Sequence, residues 1–158
     1  MTRIVLVLIV WLFLMGAISG CQNKRAVTPT VSASSEAKSY KLPYIRDLKL
    51  SYTTAKNHLV YNEHLSSTTF PENASGVILR VSGERVPEEL TARVSWFYVK
   101  EKPHLLCSQQ ITSEELNKLQ YVDLSLYQHD TELPAGQYEV VIEDNKHAEK
   151  EKLTFHIR

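Results

Sequence analysis

Six histidines, His58, His64, His104, His129, His147 and His156, and two cysteines, Cys21 and Cys107, are the side chains best suited to metal ligation or nucleophilic chemistry. Imidazole and thiolate hold zinc-like cations, but a site needs three or four such donors converging at about 2.0–2.3 Å. No ligand spacing of that kind is present. His104 and Cys107 stand three apart on a segment of strand character. Alternation sends residues three apart to opposite faces, so an ion shared between them requires a bulge. His58 and His64 fall in one loop-rich region and His129 in another, and these three make a metal site only if the loops converge. Surface histidines, with no metal and no cofactor, are the plainer expectation.

Catalytic patterns are no better supplied. The chain has no Gly-rich phosphate loop, nucleophile elbow or HExxH, and Gly76, Gly83 and Gly136 stand as turn punctuation. Glu88-Glu89 and Glu114-Glu115 are adjacent acidic pairs, the second suited to a helix N-terminus. Neighbouring carboxylates on a turn look outward, so an acid/base dyad is not expected. The chain reads as a non-enzyme.

Cys21 carries a different chemistry. One positive charge, Arg3, precedes an apolar run from Ile4 to Ile18, and the small residues Ser19 and Gly20 stand before the cysteine. Charged, apolar and small segments in that order make an export signal. The run is 15 residues long, short of the roughly 18–20 that span a bilayer. Ile18-Ser19-Gly20-Cys21 resembles the lipobox of bacterial lipoproteins, with Ile18 where the family most often has Leu. The resemblance implies cleavage before Cys21, acylation of its thiol and new amino group, and attachment to a membrane through the lipidated N-terminus. Several acyl chains hold a protein stably where one holds it only marginally. Gln22 stands where an Asp tends to retain such proteins in the inner membrane. The implied address is therefore the cell envelope, at the outer membrane facing the periplasm if the organism is Gram-negative.

Charge is balanced, with 18 basic and 18 acidic residues. A chain without net charge or a basic stripe has no electrostatic footprint for nucleic acid. If Cys21 is lipidated, Cys107 has no second cysteine to pair with, and stability must come from a hydrophobic core.

The elements that position these residues follow from composition and period. Residues 1–20 form the signal and 21–44 a lipidated N-terminus and flexible tether, rich in Ala, Ser, Thr and Pro up to about Ser39. A coil of that length spans roughly 25 Å. Residues 45–158 form one domain, and its dominant period is two. Strands are expected over 47–53, 76–82, 92–99, 105–111, 121–127, 137–143 and 152–157, with a short helix after the capping-box pair Thr112 and Glu115.

Two residues narrow the class. Trp96 lies on the third strand, and Tyr138 follows the turn residues Leu133-Pro134-Ala135-Gly136 at the start of the penultimate one. The pair resembles the buried Trp and tyrosine corner of immunoglobulin-like domains, without the disulfide cysteines of antibodies. The expected fold is all-β, a single immunoglobulin-like β-sandwich of about seven strands after a cleaved signal and tether. Such a fold is nearly silent on function.

Two polar segments remain. Lys56–Ser75 is a long loop region, a natural place for a partner surface, and Asp144–Glu151 is a charged hairpin. Asn73-Ala74-Ser75 fits a glycosylation sequon that a bacterial address leaves unread. Together these readings favour a lipid-anchored, non-catalytic domain that binds or scaffolds another cell-envelope protein. The alternatives are a metal- or small-ligand-binding lipoprotein of the periplasm using its histidine loops, and an inhibitor or immunity-type lipoprotein.

Overall fold

Alternating apolar residues build two facing sheets around one core in the computed structural model, which describes residues 20–25, 39–54, 59–128 and 131–158. The apolar run and most of the expected tether lie outside the described residues, as do His58 and His129. Among those described, the strands are β1 (Gly20–Arg25), β2 (Ile45–Thr53), β3 (Thr69–Phe70), β4 (Gly76–Gly83), β5 (Thr91–Val99), β6 (Pro103–Thr112), β7 (Tyr121–Tyr127), β8 (Gly136–Asp144) and β9 (Glu151–Ile157). The first sheet runs β1-β7-β4-β2 and the second β3-β9-β8-β5-β6. Every pairing is antiparallel except β3 with β9. The protein is thus an all-β sandwich. Its seven long strands coincide with the seven expected, and their order is that of the immunoglobulin-like class, with β2-β4-β7 facing β6-β5-β8-β9.

The core lies where period two sends the apolar residues. Leu48, Leu50, Val77, Leu79, Val81, Val122, Leu124 and Leu126 come from the first sheet, and Val94, Trp96, Val140, Ile142 and Phe155 from the second. Trp96 is fully buried. Its ring meets Phe155 edge-on at 6.3 Å, and Phe155 stacks on Tyr138 at 5.0 Å.

The tyrosine corner is present and doubled. Tyr138 Oη donates to the Pro134 carbonyl at 2.6 Å, and Tyr98 Oη donates to the neighbouring Ala135 carbonyl at 3.0 Å. Burial pushes the Tyr138 hydroxyl well above its usual range, so it stays a donor. Gly136 follows with φ +145°, and a Cβ there would lie 2.7 Å from the Tyr98 ring, so the turn needs glycine on both counts. Tyr138→Phe keeps the stacking and removes only the donor. A loss of about 1 kcal/mol is expected for removing one such hydrogen bond, measured by urea unfolding.

The short helix is α1 (Ser113–Leu119), held by the expected capping box. Thr112 N–H donates to Glu115 Oε2 at 2.9 Å, and Leu116 fastens the helix to the core.

The domain begins earlier than the boundary expected at 45. Leu42 and Tyr44 are buried in the core, Lys41 N–H donates to Glu151 Oε2, and Glu84 N–H donates to the Tyr44 carbonyl. Further upstream, the backbone of Gly20–Arg25 pairs with β7 as β1, Cys21 standing opposite Leu126. That stretch falls within the expected tether and is sheet in this structure.

Candidate interaction surface

The described histidines, His64, His104, His147 and His156, lie apart from one another. His64 is exposed in a 3₁₀ turn over Glu63–Leu65, His104 is exposed on β6 and His156 is half-buried on β9. His147 caps the β8–β9 hairpin, its Nδ1 lying 3.0 Å from Asp144 Oδ2. Burial raises the Asp144 carboxyl, and the N–H groups of Lys146 and His147 with the His147 ring outweigh it and hold it below the usual carboxylate range. This is a hairpin lock, with both backbone donors 2.7 Å from Asp144 Oδ1. No group of three or more His, Cys, Asp or Glu able to hold a metal comes together among the described residues.

One expectation about His104 and Cys107 is overturned. The β5–β6 register slips between Trp96 and Phe97, leaving Leu106 as an extra residue on β6. His104 then stands opposite Tyr98 and Cys107 opposite Trp96, so both lie on the core-side face. A bulge reverses the parity that strict alternation predicts. They still share no ion, because Cys107 is disulfide-bonded.

Cys107 is disulfide-bonded, whereas the expectation that it stands alone holds for a chain lipidated at Cys21. The chain's other cysteine is Cys21, so a disulfide within the chain and acylation of the Cys21 thiol exclude each other.

The Lys56–Ser75 region, in its described part, is packed against the first sheet with much of its length exposed. Residues 59–68 cross the outer face of the first sheet. Asn62 N–H donates to Ser51 Oγ at 3.3 Å, Ser67 N–H donates to the Leu50 carbonyl at 3.2 Å, and Tyr61 is buried. Ser51 is the cross-strand neighbour of Ile78, which points away from the core yet is fully buried. The strap therefore crosses the row of Ile78 and hides it. Its clasp is Arg80, whose guanidinium sits 4.0 Å from the ring centres of both Tyr61 and Tyr121 and pairs with Asp123 through two contacts of 2.8 Å.

The second sheet carries no such cover among the described residues. Opposite the core-facing Val94 and Trp96, its outer face presents Phe97 and Val99 of β5, Leu105 of β6 and Val141 of β8. Phe97 pairs with Leu105 across the strands, and Leu105 is 52% exposed. Ser95 and Ser108 join their hydroxyls beside this pair at 2.9 Å. Charge borders this patch directly: Glu139, the cross-strand neighbour of Phe97, pairs with Lys152 at 2.7 Å, and Lys150 and Arg93 pair with Glu143. Lys150 holds the Glu143 carboxyl below its usual range. The strand at this end, β6, has no Lys, Arg, Asp or Glu, and it is the last in its sheet. An apolar patch at the sheet's edge, bordered on its inner side by mutually paired charges, suits a protein-binding surface. Alternation along 92–99 puts Phe97 and Val99 opposite Val94 and Trp96, but that pattern alone is the same as in any half-solvated sheet.

No protein-family model matches the chain, and no curated protein does.

Proposed function

We propose that this protein is an exported, non-catalytic β-sandwich domain that binds another protein of the cell envelope through the outer face of its second sheet. The observation that carries this reading is the Phe97–Leu105 pair, held on the sheet's last strand with more than half of Leu105 open to solvent. Leu105 is an anchor of the size that fills a partner's pocket. The domain is held to the membrane by acylation of Cys21, as the Ile18-Ser19-Gly20-Cys21 sequence implies.

A photo-crosslinking residue placed at Leu105 of the full-length protein is expected to give a discrete higher-mass adduct in envelopes. Leu105→Glu, which leaves the core untouched, is expected to abolish recovery of that adduct's partner by affinity capture. An identical adduct from a crosslinker at the exposed Asn117 of α1, or undiminished capture by Leu105→Glu, overturns the assignment.

A further inference from the structure

The second sheet ends in an open edge. β6 is its last strand, and β1, which approaches on the same side of the sandwich, belongs to the facing sheet. Pro103 and the bulge at Leu106 interrupt the start of β6, leaving Cys107–Thr112 in regular register with β5.

In an antiparallel ladder, successive residues turn their backbone groups alternately towards and away from the neighbouring strand. Ser113 N–H donates to the Leu90 carbonyl at 2.9 Å, and this sets the phase: Ile111, Gln109 and Cys107 turn to β5, and Gln110 and Ser108 turn outward. Thr112 also turns outward, but its N–H is taken by Glu115 Oε2. The backbone N–H and C=O groups of Ser108 and Gln110 have no partner among the described residues, and both residues are exposed. Natural sheets guard such an edge with charge, above all with lysine. β6 carries none.

We propose that a second copy of this chain occupies the edge, the two β6 strands pairing antiparallel about a two-fold axis at Gln109. Ser108 of each copy then faces Gln110 of the other, and each pair exchanges both of its N–H to C=O hydrogen bonds. A two-fold contact needs a surface complementary to itself. The two ends of β6 supply it. The turn before the strand, Lys100-Glu101-Lys102, has a net positive charge, and Glu114 opens the helix after it. Lys100, Lys102 and Glu114 are exposed and make no ion pair among the described residues. Antiparallel pairing carries the lysines of one copy to the Glu114 end of the other, at both ends of the contact. Between those ends no like charges oppose one another. The pairing does not rest on the partner reading above. It leaves the outer face open and sets Leu105 of both copies on one continuous sheet.

Full-length chain in a non-ionic detergent, its protein mass followed by light scattering across concentration, tests this. A mass of two chains is expected. Gln110→Pro removes an outward N–H and leaves the β5 ladder its bonds. It is expected to raise the dissociation constant about tenfold or more, since each symmetry-related pair loses a hydrogen bond. Lys102→Glu is expected to weaken the dimer several-fold, and Glu114→Lys added to it is expected to restore the dimer, because the swapped charges again face opposites. Lys102 and Glu114 are exposed, so this exchange reads the contact independently of any strain that Gln110→Pro puts on the strand. A single-chain mass at every concentration overturns the dimer and leaves the edge to a strand of another protein. A two-chain mass that neither Gln110→Pro nor Lys102→Glu changes overturns it too, since the copies then meet elsewhere or only share a micelle. Neither result alters the Leu105 crosslink, so the partner reading is judged separately.

Discussion

Trp96→Ala is expected to destabilise the domain by about 3–5 kcal/mol, the usual cost of emptying a buried aromatic site. The residue is fully buried, and its neighbours leave the cavity no easy way to collapse. Phe155, which meets the indole edge-on, is itself pinned by stacking on Tyr138, and Val94 and Val140 are fixed by the strand ladders on either side. Gln109 Oε1 also loses the indole N–H it accepts at 3.1 Å. Against the roughly 5–15 kcal/mol that holds an ordinary domain together, this is a large share. The expected fall in Tm is roughly 12–25 °C. Circular dichroism melts check it, because the substitution removes the tryptophan that would report by fluorescence. Trp96→Phe refills most of the space and is expected to recover more than half of the loss. An unchanged melt for Trp96→Ala would mean that Trp96 is not the anchor of this core.

Why Trp96 could be singled out from sequence, while other core residues could not, comes down to periodicity. Val94, Trp96 and Tyr98 alternate cleanly with Arg93, Ser95 and Phe97, and a strand of nine residues repeats the signal often enough to be read. Thr112 and Glu115 show themselves through a local capping geometry, and Tyr138 through the turn that precedes it. Leu42 and Tyr44 give no such repeat. They are buried because Ile45 N–H turns back onto the Leu42 carbonyl and residues more than forty positions away close over them. The two-residue strand β3 is equally silent, since Thr69 and Phe70 pair in parallel with His156 and Ile157 at the far end of the chain.

The interaction surface was harder to read than the fold. Alternation separates inner from outer residues but does not say which outer face is left open. Ile78 and Phe97 occupy equivalent outward positions on opposite sheets, and only the strap's path makes one buried and the other half-exposed. The bulge at Leu106 has the same character. It brings His104 and Cys107 to one face through a register slip that nothing in the local residue order announces.

Whether the strap stays closed depends on Arg80, and Arg80→Ala is expected to cost about 3–5 kcal/mol, the range for stripping one partner from a largely buried ion pair. The Arg80 and Asp123 side chains are 22% and 10% exposed, so water recovers little of what the carboxylate loses. Two tyrosine faces lose their cation at the same time. Lys49 does not replace it, being engaged with Glu63 at 2.8 Å and Asp47 at 3.4 Å. Of these contacts only Tyr61 belongs to the strap, so the loss has a local signature as well as a global one. Amide exchange over residues 59–67 is expected to rise well before the sheet ladders of β4 and β7 open. Asp123→Ala in the Arg80→Ala background removes the stranded carboxylate, and the double variant is expected to be more stable than the sum of the two single losses implies. Double-mutant analysis by urea unfolding measures that coupling. If the losses simply add and exchange in 59–67 does not change, Arg80 is not the clasp, and the strap is held by Tyr61 packing, the Lys49–Glu63 ion pair and the Ser51 and Leu50 hydrogen bonds.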